Sequence, residues 1–98
     1  MIFSVRVTNY RRLPMLHMCD AKLLGMNLTQ DDLQINISRN CYGQKLVDKK
    51  EARTLLRESS VINIAGKDSV QLSVEMGIGS ANGVRTIDGV PFLIIFKM

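Results

Sequence analysis

Near the C-terminal end of the chain, Asp88-Gly89 stands between two strand-like stretches, residues 84–87 and 90–97. Both central positions of a two-residue hairpin turn need positive φ, which Asp-Gly tolerates better than almost any other pair, so this stretch reads as a β-hairpin. Any fold for the chain must therefore contain an antiparallel sheet. Residues 92–96 show no alternation. That strand is expected to be covered on both faces, by an interior place in the sheet or by a subunit contact.

A second strong signal lies in the middle. Asp48 and Glu51 form a D-x-x-E start of the capping-box kind, and both carboxylates suit the positive end of a helix dipole. Ala52, Leu55, Leu56 and Ser59 then recur on one stripe, while Lys49, Lys50, Arg53 and Arg57 point elsewhere, so residues 48–59 are expected to be helical. At the N-terminal end Ile2, Phe3, Val5 and Val7 suggest a strand rather than a leader peptide, followed by a polar turn at residues 9–12. Pro14 opens a second strand over residues 15–19, and Asp20 is placed to cap a short turn over residues 21–24 that Gly25 closes. Leu33, Ile35 and Ile37 alternate with Gln34, Asn36 and Ser38 as in a half-buried strand.

Residues 61–65 are apolar and β-branched, and fit a strand or a buried loop. Residues 70–76 are ambiguous, because apolar side chains at 70, 72, 74 and 76 alternate as in a strand. Asp68 as a cap and Gly77 as a stop argue instead for a helix. Strands first, helices in the middle and strands last give an α+β two-layer sandwich: a mainly antiparallel sheet of about five strands with two helices on one face. With 98 residues there is room for a single domain, residues 1–98, and for little cavity volume.

Thirteen Lys and Arg stand against nine Asp and Glu, and most of the excess falls in the N-terminal half. A basic surface favours polyanions because each neutralised phosphate releases counterions; the plain alternative is a solvated surface. Arg11 and Arg12 fall in the first turn, and Arg39 and Lys45 flank a loop that holds Tyr42. Cations for phosphates with a tyrosine to stack on a base is what single-stranded RNA binding requires. The longest apolar run, residues 90–96, is seven long against the ~20 of a membrane helix. A cytoplasmic protein is expected, with Cys19 and Cys41 as free thiols.

Catalytic and cofactor chemistry is thinly represented. One histidine, His17, leaves no triad, and no G-x-S-x-G occurs. Gly66-Lys67 matches the end of a phosphate-binding loop, but Val61 stands where its first glycine belongs and Asp68 replaces the magnesium-holding hydroxyl. His17, Cys19 and Cys41 lack a fourth metal ligand at any recognised spacing, so no metal and no cofactor is expected. A small-molecule or metal-dependent enzyme built around Asp20, Cys19 and His17 remains the alternative from another class.

Cys19-Asp20, Leu23-Leu24-Gly25, Tyr42-Gly43, Asn63 with Gly66, Gly77-Ile78 and Gly89-Val90-Pro91 follow one another in the order and at spacings similar to those of a small archaeal family, domain of unknown function 424. The resemblance runs through nearly the whole chain. It implies a stand-alone α+β cytoplasmic domain with no established activity, sometimes suggested to be RNA-binding or translation-associated, and it favours the helix over residues 68–76. The chain departs from the family at Cys41-Tyr42-Gly43-Gln44, where Phe-Tyr-Gly-Gly is usual, and at Phe92, where a histidine follows Gly-Val-Pro. Asp20, Tyr42, Asn63 and Arg85 are the polar or aromatic side chains in or beside matched elements. The expected function is a binding module for RNA or a ribonucleoprotein partner, with a homodimer through the C-terminal strand as a further possibility and no membrane partner.

Overall fold

The computed structural model describes residues 1–97. In chain order the elements are β1 (Ile2–Tyr10), β2 (Leu13–Asp20), β3 (Asn27–Gln30), β4 (Leu33–Asn36), α1 (Arg39–Tyr42), β5 (Lys45–Asp48), α2 (Lys49–Glu58), β6 (Val61–Ala65), α3 (Lys67–Glu75), β7 (Arg85–Ile87) and β8 (Val90–Phe96). Six strands form one mixed sheet in the order β5-β1-β2-β6-β8-β7, and β3 with β4 forms a separate hairpin. Within the large sheet only β2 and β6 run parallel. The α+β reading stands, with six strands in place of five and a third, one-turn helix.

One face of the sheet holds the main core. Phe3 and Val5 of β1, Leu16 and Met18 of β2, Ile62 and Ile64 of β6, and Leu93 and Ile95 of β8 all point to it. Helices α2 and α3 close it with Ala52, Leu56, Val70 and Leu72. Each fully buried side chain of the Phe3 or Leu16 kind contributes roughly 1.5–3 kcal/mol through its removal from water.

The N-cap half of the motif at the start of α2 forms, with Asp48 Oδ1 accepting from the Glu51 N–H at 2.9 Å, while the Glu51 carboxylate pairs with Lys45. At the other end the Ser59 hydroxyl donates to Leu55 O, and Lys97 Nζ donates to the carbonyls of Leu56 and Arg57. That ammonium satisfies orphan carbonyls at the negative end of the dipole. Residues 67–75 are helical despite the alternation of their apolar side chains. Ser69 and Ser73 are fully buried and complete the inward face with Val70 and Leu72, which strand periodicity cannot register because serine reads as polar. The Ser73 hydroxyl donates to Val70 O at 2.8 Å, so its burial leaves no donor unmet.

The opposite face is only half covered. Leu23, Leu28, Ile37 and Tyr42, brought in by the turn at Ala21–Leu23, the β3–β4 hairpin and α1, pack on Cys19 and Ala65. Asp31, at φ 55°, and Asp32 make the tight turn of that hairpin between Gln30 and Leu33. Strand β8 is interior, between β6 and β7, yet it is not covered on both sides. Leu93 and Ile95 are buried, while Ile94 and Phe96 are each 62% exposed. The absent alternation in residues 92–96 marks a strand with one buried face and one uncovered apolar face.

Candidate functional site

Strand register fixes what the uncovered half of the second face displays. Directly paired residues share a face, so Arg6, His17, Asn63 and Ile94 form one row across β1, β2, β6 and β8. Thr8, Met15, Val61 and Phe96 form the next row, and Tyr10 and Leu13 lie beyond them at the hairpin end. Four strands at their usual spacing make each full row ~14 Å wide. Arg85 of β7 pairs with Phe92 at the far edge, where a cleft of about 310 Å³ runs between Asn63, Arg85, Ile87, Phe92 and Ile94. No carboxylate stands in either row or in that cleft.

Several of these side chains are held in place. The Arg6 guanidinium donates from Nη1 to the Asn40 carbonyl of α1, which anchors it at the border of the covered half. His17 Nε2 lies 3.5 Å from Thr8 Oγ1, and its ring meets Tyr42 edge-on, 6.0 Å between centroids at 85°. Burial, and after it the Arg6 charge, holds the His17 pKa below its ordinary 6.5, so the ring is neutral at pH 7. Its buried Nδ1 has no hydrogen-bond partner among the described residues. At the hairpin tip Arg11 and Arg12 both take positive φ, 50° and 71°. That is the mirror-image turn a two-residue hairpin needs, made here without glycine. The Arg11 guanidinium lies 5.3 Å from the centroid of the Tyr10 ring, and both side chains are exposed.

The residues singled out from sequence scatter. Arg11 and Arg12 sit at the β1–β2 tip. Arg39 and Lys45 line a cleft of about 410 Å³ with Ser4, Gly43 and Gln44 at the other end of β1. Lys45 faces Val5 in the register, six residues from Arg11, which puts the two ends ~20 Å apart along the strand. Lys45 also pairs with Glu51, so its charge is partly answered. The expected cluster of Arg11, Arg12, Arg39 and Lys45 is therefore two separate places. Tyr42 is not an exposed stacking platform. It is 7% exposed inside the second core cluster, and burial above all pushes its phenol up to about 12, with the Asn63 amide beside it pulling the other way. Asn63 and Arg85 do lie on the uncovered face.

Asp20 is structural, though not as a cap for residues 21–24. It is 3% exposed, and its carboxylate reaches across to α3: Oδ1 accepts from the Ser69 N–H (2.8 Å) and hydroxyl (2.7 Å), Oδ2 from the Asp68 N–H (3.1 Å). Gly66 at φ 113° lets the backbone pass close enough, since a Cβ there would meet the Asp20 carboxyl carbon at 2.4 Å. The helix N-terminus beside Gly66-Lys67 is filled by the chain's own carboxylate. Cys19 faces the other side of β2 from Asp20, and burial raises its thiol to about 12, leaving it unreactive at neutral pH. His17, Cys19 and Asp20 thus do not converge. Cys41 is exposed, and both thiols are free. Among the described residues no three of His, Cys, Asp and Glu come together as a metal site would require.

The candidate set read from sequence left out Arg6, Thr8, Tyr10, Ile94 and Phe96. The signal was present for the first three: Phe3 and Val5 point inward, so Arg6, Thr8 and Tyr10 share the opposite face of one strand.

A family profile described as "Protein of unknown function (DUF424)" matches residues 8–98. A solved structure described as an uncharacterized conserved protein from Methanopyrus kandleri is similar in fold, with a TM-score of 0.81. The likeness covers 100% of this chain and 95% of that one at 20% sequence identity. No curated protein matches the chain.

Proposed function

Starting from a chain that belongs to the DUF424 family, we propose that it is a non-catalytic module that binds single-stranded RNA across the uncovered half of its sheet. One observation supports this reading above the rest. Exposed Tyr10, Ile94 and Phe96 stand among Arg6, His17, Asn63 and Arg85 on adjacent strands, with no carboxylate in the two rows between them. Bases stack on exposed aromatic rings without sequence preference, and this face offers two of them, Tyr10 on β1 and Phe96 on β8. Arg6 and Arg85 flank the rows and meet phosphates, with Arg11 and Arg12 extending the track past Tyr10. The Asn63 amide offers hydrogen bonds to base edges instead of charge.

Fluorescence anisotropy with a labelled single-stranded oligouridylate, measured across a salt series, tests it. Affinity is expected to fall linearly in log–log form, and Arg6→Ala or Arg85→Ala to shallow the slope by about 0.7 each. An affinity indifferent to salt, or one lost on Arg39→Ala and kept in both of those variants, would remove the reading.

A further inference from the structure

Strand β8 has a free edge. It pairs with β6 over residues 92–96, but β7 reaches only residues 90–92, so among the described residues no strand pairs with the outer edge of β8 beyond Phe92. The phase of the β6–β8 ladder follows from its two ends. The Gly66 N–H donates to Pro91 O, and the Lys97 N–H donates to Ser60 O. Hydrogen-bonded pairs alternate in an antiparallel ladder, so Leu93 and Ile95 spend their backbone groups on β6. Ile94 and Phe96 turn theirs outward, where no hydrogen bond meets them among the described residues. Their side chains are also the two large apolar groups left uncovered on this strand.

Natural edge strands are usually blunted by a charge, a proline or a very short length. The opposite edge, β5, fits that rule: four residues, with Lys45 and Asp48 at its ends. The β8 edge does not. The cation that follows the open stretch in sequence, Lys97, is turned away to the carbonyls of Leu56 and Arg57 at the end of α2. Pro91 lies inside the β7-paired stretch and leaves the open stretch free of proline.

We propose that this edge pairs antiparallel with the same edge of a second copy of the chain. The segment is self-complementary about Ile95. With Ile95 opposite the partner subunit's Ile95, the outward N–H and C=O of Ile94 meet those of the partner subunit's Phe96, and the reverse contact follows by symmetry. Four backbone hydrogen bonds form, and each Ile94 side chain covers a Phe96 ring. No charge opposes a like charge in this register. The two-fold axis stands perpendicular to the sheet, so both uncovered faces lie on the same side and join into one surface. The pairing rests on the strand edge and is independent of any RNA ligand. A two-residue edge covers less than the roughly 800 Å² per partner of a standard interface, so the association is expected in the micromolar range.

Sedimentation velocity over a dilution series up to about 300 µM tests the proposal in the range such a contact requires. The intact chain is expected to move from one to two times its 11.0 kDa mass as concentration rises. Ile94→Lys, at a position 62% exposed, is expected to keep the native circular dichroism and remain monomeric at every concentration. Leu46→Lys, at the similarly exposed position on the β5 edge, is expected to dimerise like the parent. A parent that stays monomeric throughout, an Ile94→Lys variant that dimerises unchanged, or a dimer broken only by Leu46→Lys would each overturn it. RNA affinity of the parent chain, measured at concentrations where it is monomeric, separates this outcome from that of the ligand reading.

Discussion

Replacing Asp20 by Asn changes one atom at a site where three donors converge, and the consequences follow from the contacts. The amide keeps the shape of the carboxyl group and one oxygen. If that oxygen holds the place of Oδ1, it still accepts from the Ser69 N–H and hydroxyl, and the amide NH₂ then faces the Asp68 N–H, donor against donor. Losing a charge-assisted hydrogen bond costs about 1.5–3 kcal/mol, and losing a negative charge at a helix N-terminus costs about 0.3–1 kcal/mol more. Against this, the neutral amide is easier to bury than a carboxylate that is 3% exposed, which returns part of the loss. The donors win, because each was aimed at the carboxylate, and the net cost is about 2 kcal/mol. For a chain of this length that corresponds to a fall in Tm of about 8–16 °C. Urea melts followed by circular dichroism read it directly, as a lower midpoint at unchanged m. RNA affinity at a temperature where both proteins are folded is expected to stay the same. A loss below about 0.5 kcal/mol would refute the structural role of Asp20 and return its carboxylate to the list of groups free for chemistry.

Gly66→Ala attacks the same junction harder, since φ 113° is disfavoured for alanine and the new methyl would sit 2.4 Å from the Asp20 carboxyl carbon. About 3 kcal/mol or more of stability is expected to go, read from the same melts. His17 gives a pH dependence whose sign is set by its depressed pKa. The unfolded chain binds a proton near pH 6.5 and the folded one only lower, so this contribution is intact above 6.5 and fades as pH falls toward the folded value. The urea midpoint of His17→Gln is expected to drop less than the parent's between pH 7.5 and 5.5, an interval that brackets the ordinary histidine value. Arg12→Gly relieves a positive φ of 71° at the hairpin tip. Stability is expected to rise by up to about 1 kcal/mol while RNA affinity falls, the trade expected of strain kept at a working position.

Where the chain's local chemistry and its long-range packing agree, the fold was legible from the residues. Asp88-Gly89 marked the β7–β8 hairpin, and Asp48 with Glu51 marked the start of α2, because both signals act within four residues. Strand β5 escaped notice because Lys45–Asp48 offers only one inward side chain, Val47, and its identity as a strand comes from β1. The β3–β4 hairpin was half seen, since Leu28 is the lone buried residue of β3. Tyr42 was misread because a loop tyrosine is normally exposed. Here Ser38 accepts from the Cys41 N–H and starts a single helical turn that swings the ring into the core. The link from Asp20 to Ser69 spans 49 residues and depends on β2 and β6 running parallel, which no local pattern announces. The uncovered face was hidden for a similar reason. Arg6 and Phe96 belong to strands at opposite ends of the sequence, and only the register shows that they share one surface.

That surface is the core of the functional account, and a ¹⁵N–¹H correlation titration with a short oligouridylate probes it residue by residue. The shifts are expected to concentrate at Arg6, Tyr10, His17, Asn63, Ile94 and Phe96, fading as salt is added. Shifts gathered instead around Arg39 and Gly43, or no shifts at ligand excess, would contradict it.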